Sequence, residues 1–302
     1  MAQLWIVSPT IKTVRHALLI GALLLGSATI QAAEQSVTLD GLNVTVWSRE
    51  TGQNAKQPII IFSHGFHGCA TQSRFLMEAF ADAGYIVFAP NHHDATCSGG
   101  TAHWRDKPEI SFRQPENWDE TSFRDRADDI RRLIDAIRSD TRFRERVDWS
   151  RFGLAGHSLG GYTVLALGGA WPNWKLPGVE AILALSPYSQ PFTKQNTLTG
   201  LSAPVMYQGG TRDFGITPTI HKSMGSYDQS PPPKYYVEFD GAGHFAWTDI
   251  GRIAHDQIVA YSLAFMNHYV KGDPADPILT KASFGVAEFR YASELGNSNA
   301  GR

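Results

Sequence analysis

Arg151-Phe152-Gly153-Leu154-Ala155-Gly156-His157-Ser158-Leu159-Gly160-Gly161-Tyr162-Thr163-Val164-Leu165-Ala166-Leu167 reads as a strand, a sharp turn and a helix. Residues 151–155 have the look of a buried strand, and 162–167 have that of a helix. Between them Gly156-x-Ser158-x-Gly160 sets residues without side chains on both sides of one serine. Such flanks let the chain reverse within a few residues while Ser158 projects its hydroxyl from a strained backbone. A bare Gly-x-Ser-x-Gly match recurs by chance, and a glycine-rich helix cap with a structural serine would satisfy it too. The strand before it and the helix after it give the match its content.

Outward from this segment, short apolar runs alternate with helical patterns almost to the end of the chain. That is the signature of an α/β fold: a mostly parallel central sheet flanked by helices on both faces. Ser36–Leu39 and Asn43–Trp47 around Asp40-Gly41 predict an antiparallel hairpin, because Asp-Gly readily adopts the positive φ of a tight turn. Pro58–Phe62 and Tyr85–Ala89 are continuous apolar runs, as expected of strands covered on both faces. Further strands are expected at Arg151–Ala155, Glu180–Leu185, Ala203–Gln208 and Lys234–Phe239. Helices are expected at Ser73–Ala83, along Ala127, Ile130, Leu133, Ile134 and Ile137, and at Arg252–Tyr269. The stretch from Cys97 to Asp119 is too long for a simple connection, and such loops tend to be functional or disordered. The tail from Gly272 is weakly patterned.

The chain has 302 residues, 42% of them apolar, enough for one large core. A formal charge of −2 without a Lys/Arg stripe argues against a nucleic-acid partner. Residues 1–33 carry Lys12 and Arg15, then the apolar run Ala17–Leu25, then small residues ending in Gln31-Ala32-Ala33. This is the pattern of a signal peptide cleaved near Ala33, predicting export to the periplasm or beyond. An uncleaved anchor is the alternative, but the run is shorter than the ~20 residues that span a bilayer. The expected organisation is a signal peptide at 1–33, one domain at 34–290 and a disordered tail at 291–302. The two cysteines, Cys69 and Cys97, each follow an expected central strand, and in an exported chain they are expected to form a disulfide.

A serine hydroxyl is a weak nucleophile and needs a base and a group to orient that base. After a strand, Gly209-Gly210-Thr211-Arg212-Asp213 places Asp213 in a turn, and Asp240-Gly241-Ala242-Gly243-His244 places His244 in the next such turn. Asp240 competes with Asp213 but lies only four residues before the histidine. His221 and His255 fall in helical contexts and His268 near the end. The backbone N–H of Leu159 and that of Phe66 (or its neighbour His67) in Ser63-His64-Gly65-Phe66-His67-Gly68 are candidate oxyanion donors. His92-His93-Asp94 suggests a metal, but adjacent side chains diverge and the cysteines form no ligand motif with them, so no metal is expected.

The segments Phe62-Ser63-His64-Gly65-Phe66, Ala83-Gly84-Tyr85-Ile86-Val87, Asn91-His92-His93-Asp94 and Gly156-His157-Ser158-Leu159-Gly160-Gly161 resemble the dienelactone-hydrolase-like group of the α/β-hydrolase fold. Platelet-activating-factor acetylhydrolases and polyester-degrading cutinases are similar in these stretches. The resemblance runs from about Pro58 to about Tyr269. It implies Ser158, His244 and Asp213 as a triad, and Phe66 and Leu159 as the oxyanion hole. Ser186-Pro187-Tyr188 resembles the cutinase segment that offers an aromatic to the substrate, with tyrosine where tryptophan is usual. The expectation is therefore a cofactor-free serine esterase acting on short to medium acyl or aromatic esters, with Phe66, Tyr188 and Trp247 around the acyl group. Lipid-directed acetylhydrolase or cutinase-like polyester activity is the alternative, and a non-catalytic binding relative a third. Neither a stable membrane anchor nor an oligomeric state is implied.

Overall fold

The computed structural model of the chain describes residues 1, 3, 32–49, 55–97, 100–293 and 298–301. The expected signal peptide falls almost wholly outside them. Among the described residues no helix is long and apolar enough to cross a membrane.

The chain enters the sheet through the hairpin β1 (Ala33–Leu39) and β2 (Leu42–Ser48). Its two turn residues, Asp40 and Gly41, both have positive φ (45° and 76°), which matches the turn to the twist of the strands. Six parallel strands form the centre: β3 (Gln57–Ser63), β4 (Ile86–Pro90), β5 (Val147–His157), β6 (Val179–Leu185), β7 (Val205–Gly210) and β8 (Lys234–Phe239). Antiparallel β9 (Val286–Ala292) and β10 (Ser298–Gly301) close the other edge. The spatial order is β1-β2-β4-β3-β5-β6-β7-β8-β9-β10. Of the tail expected at 291–302, Tyr291 and Ala292 belong to β9 and 298–301 pair with it, while 294–297 and 302 lie outside the described residues. Val286, Phe289 and Ala292 are spaced by three and not by the two that marks a strand face, so the sequence carries no strand signal beside β8.

The helices that matter for the site are α1 (Arg74–Asp82), α2 (Arg124–Ser139), α3 (Leu159–Leu165), α4 (Gln190–Gln195), α5 (Thr217–His221), α6 (Ser226–Gln229) and α7 (His255–Met266). All seven residues of β3 are buried because the sheet is covered on both sides. Ile59 and Ile61 pack with Ile130, Leu133 and Ile137 of α2. Ile60 and Phe62, facing the other way, pack with Leu76, Met77 and Phe80 of α1 and with Ile258, Tyr261 and Phe265 of α7.

Strand order decides where chemistry can sit. From β3 the chain goes first to β4 on one side and then to β5 on the other. The carboxyl ends of β3 and β5 therefore flank a topological switch point, where sites of open α/β sheets collect. Ser63 pairs in register with Gly156, so the turn after β3 lies beside the turn after β5.

Candidate active site

Ser158 sits between β5 and α3 with φ 56° and ψ −115°, a conformation that costs a side-chain-bearing residue roughly 1–3 kcal/mol. The surrounding glycines are sterically required. A Cβ on Gly156 would lie 2.2 Å from the Gly160 carbonyl oxygen, one on Gly160 would lie 1.9 Å from that of Ser63, and one on Gly161 would lie 2.5 Å from Pro187 Cβ. The strained serine is held by its own backbone: its N–H donates to Leu185 O, and its carbonyl accepts from Tyr162 and Tyr188 N–H.

His244 arrives from the turn after β8 with Nε2 2.9 Å from Ser158 Oγ. Its Nδ1 lies 3.3 Å from Asp213 Oδ2, in the turn after β7. Asp213 is buried, and its backbone carbonyl accepts from Thr217 N–H at the start of α5. Asp240, the rival carboxylate, is exposed and pairs instead with Thr211, whose Oγ1 lies 3.4 Å from its Oδ1. A carboxylate beside Nδ1 requires the proton on that nitrogen, leaving Nε2 free to accept from the Ser158 hydroxyl.

The turn after β3 is built by an unusual density of donors. The Gly65 carbonyl accepts from Gly68 N–H at 2.9 Å, His64 Nδ1–H at 2.7 Å and Arg126 at 3.3 Å. A planar trans peptide points its N–H opposite to its C=O, so these donors aim the Phe66 N–H away from themselves. Arg126, fully buried on α2, also donates to His64 O at 2.7 Å and to both carboxylate oxygens of Asp94 at 2.8 and 2.9 Å. Burial alone would raise the Asp94 pKa, but Arg126 with His64 and His92 more than offsets it and holds it at about 2. His92 N–H donates to His64 Nε2, so His64 carries its proton on Nδ1. Burial, aided by Arg126, keeps His64 well below the usual histidine range and lowers His92 to about 3.

The three side chains of His92-His93-Asp94 go to different protein partners. His92 contacts Asp129 and Ser63, His93 contacts Asp125, and Asp94 contacts Arg126. Among the described residues the one cluster with metal-like spacing is His221, Glu238 and Glu288, away from Ser158. There Glu288 is already paired with Arg290.

A second network links the residue before Ser158 to His244. Gln72 accepts from Gly65 N–H through Oε1 (3.1 Å) and donates through Nε2 to His157 Nδ1 (3.1 Å). His157 Nε2–H donates in turn to the His244 carbonyl oxygen at 2.8 Å. Burial, reinforced by the nearby His244, lowers His157 to about 3, so it stays neutral. Two side chains, Gln72 and His157, thus join the turn after β3, the end of β5 and the turn after β8.

These groups open onto a cavity of about 730 Å³ walled by Phe66, Phe112, Tyr188, Ile216, Phe245 and Ile250. Phe112 stands edge-on to Phe66 and Tyr188, with centroids 5.6 and 4.9 Å away, and Tyr188 Oη donates to Phe112 O at 2.8 Å. The expected place of Trp247 at the substrate is corrected. It is fully buried, its indole N–H donates to Gln208 Oε1 at 2.9 Å, and it packs below His157. Phe245, beside His244 and 59% exposed, takes the position at the mouth. Phe112 and Phe245 lay in stretches without periodicity, where spacing says nothing about which aromatic turns inward. Cys69 and Cys97 are joined, with Cα atoms 6.0 Å apart, and the bond ties a wall of the cavity to the segment after β4.

The family description PET hydrolase-like matches residues 115–277, and platelet-activating factor acetylhydrolase, isoform II, matches residues 29–132. Cutinase est2 of Thermobifida alba is 26% identical over 225 residues, 73% of this chain and 62% of the relative. Cutinase 2 of Thermobifida cellulosilytica is 24% identical over 225 residues, 73% of this chain and 71% of the relative. Cutinase 1 of the same organism is 30% identical over 138 residues, 45% of this chain and 47% of the relative. The chain thus spans about three-fifths of the length of the Thermobifida alba relative it matches. With the first family description covering more than half of the sequence and the sheet ordered as above, the chain belongs to the PET hydrolase-like family and has the α/β-hydrolase fold.

Proposed function

We propose that the protein hydrolyses carboxylic esters through an acyl-enzyme, with Ser158 as nucleophile, His244 as general base and Asp213 as the group that orients it. The observation that carries this reading is the 2.9 Å contact between His244 Nε2 and the hydroxyl of a serine strained at a strand-to-helix turn. In the first step Ser158 Oγ attacks the ester carbonyl and its proton passes to His244 Nε2. The imidazolium then gives that proton to the leaving alcohol. Water, deprotonated by the same nitrogen, releases the acid and restores Ser158.

The developing oxyanion is bound by two backbone donors. Leu159 opens α3, so its N–H has no acceptor within the helix, and the dipole there favours negative charge. The Phe66 N–H is the second, since every donor on the Gly65 carbonyl lies on the other side of that peptide. Preorganised donors of this kind supply a few kcal/mol each to the transition state. The buried Arg126 and His64 act by holding the Gly65 peptide in that orientation.

The aromatic and aliphatic walls favour neutral, apolar acyl groups, and a cutinase-like polyester activity remains the second reading because the cutinase relatives cover 73% of the chain. The protein acts after export, its two cysteines being joined as expected outside a reducing compartment. The experiment is a set of initial rates on p-nitrophenyl esters from acetate to palmitate, beside a soluble aromatic diester. Acetate to octanoate should be fastest. Palmitate as the best substrate would overturn the preference, and fastest turnover of the diester would favour the polyester reading.

A further inference from the structure

Ser186 stands between the two residues proposed to orient and hold the proton. It follows β6, is fully buried, and donates its hydroxyl to Asp213 Oδ2. The same Oγ lies 2.9 Å from His244 Nδ1, closer than the 3.3 Å separating that nitrogen from the carboxylate. Its backbone has φ 41°, in the left-handed region that favours glycine. Ser158, at φ 56°, is the other serine of the described residues with positive φ. A serine kept where glycine would be relaxed, with its hydroxyl turned between base and acid, points to work done by that hydroxyl.

We propose that Ser186 is a positioning residue of the hydrolysis reaction, its hydroxyl relaying the Asp213 carboxylate to the His244 ring. A hydroxyl has one proton. With that proton given to Asp213, only lone pairs face Nδ1, so Nδ1 must carry its own hydrogen and Nε2 must be the free acceptor for Ser158. During acylation the Ser158 proton moves to Nε2, the imidazolium donates from Nδ1 to Ser186 Oγ, and Ser186 keeps its proton on Asp213 throughout. No proton leaves Ser186 and none is gained.

This proposal rests on the reading of Ser158, His244 and Asp213 given above. The test compares Ser186→Gly and Ser186→Ala with the unaltered protein on p-nitrophenyl acetate, with Ser158→Ala alongside. Glycine suits the backbone at this position, so Ser186→Gly separates the hydroxyl from folding. The expected result for both is a kcat lower by about 10- to 100-fold with KM within about twofold. The low-field proton signal of the His244 Nδ1–H should shift, and the melting midpoint of Ser186→Gly should not fall. A kcat within twofold of the unaltered protein would overturn the proposal. A lower kcat with the proton signal unmoved would also overturn it, marking a packing defect. Undiminished turnover in Ser158→Ala would remove the hydrolase reading and this proposal with it, whereas a dead Ser158→Ala beside fully active Ser186 variants would refute this proposal alone.

Discussion

Gly160→Ala inserts one methyl group where α3, the helix after Ser158, meets the turn after β3. The added Cβ would lie 1.9 Å from Ser63 O, 2.4 Å from Ser63 C and 2.7 Å from His64 O. All three are backbone atoms, and Arg126 holds His64 O in place, so no flexible side chain can absorb the clash. Bringing that contact to an ordinary separation requires α3 and the turn to part by about 1.5 Å. Alanine would by itself favour the helix by about 1 kcal/mol, while overpacking of this kind costs ~1–3 kcal/mol, so a net loss of up to about 2 kcal/mol is expected. The catalytic effect is larger. Leu159 N–H moves with α3 and Phe66 N–H does not, and a misplacement of about 1 Å is enough for roughly a hundred-fold loss of rate. Urea unfolding measures the first quantity and kcat on p-nitrophenyl acetate the second. A variant as stable as the parent with kcat within threefold would show that α3 does not bear on the turn after β3 as described.

Asp213→Asn should lower kcat by about ten-thousand-fold through loss of the correct imidazole tautomer, whereas Asp240→Asn should stay within a few-fold, and steady-state kinetics of both variants separates the two carboxylates. Acid stability follows from three buried histidines. His92 and His157 are held to about 3 and His64 well below its usual value, all mainly by burial, so they stay neutral in the fold and protonate only on unfolding below about pH 6.5. Their folded pKa lies below the unfolded one, so the stability they confer is present above about 6.5 and falls with pH toward 3. Asp129, raised to about 6 mainly by burial, gains a proton in the fold between about pH 6 and 4 and offsets one of the three. The remaining two imply a loss of about 3 kcal/mol per pH unit over that window, readable from urea midpoints at pH 7, 6 and 5. Midpoints independent of pH from 7 to 5 would contradict it.

Most of the architecture was legible because it rests on local chemistry. The apolar runs Pro58–Phe62 and Lys234–Phe239, the Asp40-Gly41 turn and the glycines around Ser158 each permit few conformations, and strands appear at those places. Asp213 and His244 could be located because each follows a strand at the same edge of the sheet. Ser186, Gln72 and Arg126 could not. Each acts through a partner far away in sequence, and an isolated serine, glutamine or helical arginine carries no pattern of its own. Trp247 misled because large aromatics serve packing and binding equally well, and only the bond to Gln208 shows which one applies here. The strand β9 was missed because its residues are half-exposed and its pairing with β8 is entirely non-local.

The central claim is that the Ser158 hydroxyl becomes covalently acylated with His244 as base. Intact-mass analysis of the protein treated with a fluorophosphonate tests it most directly. One adduct per chain should form, map to the peptide bearing Gly156-His157-Ser158-Leu159-Gly160, and be absent from Ser158→Ala. An adduct retained in Ser158→Ala, or none in the unaltered protein, would contradict the account.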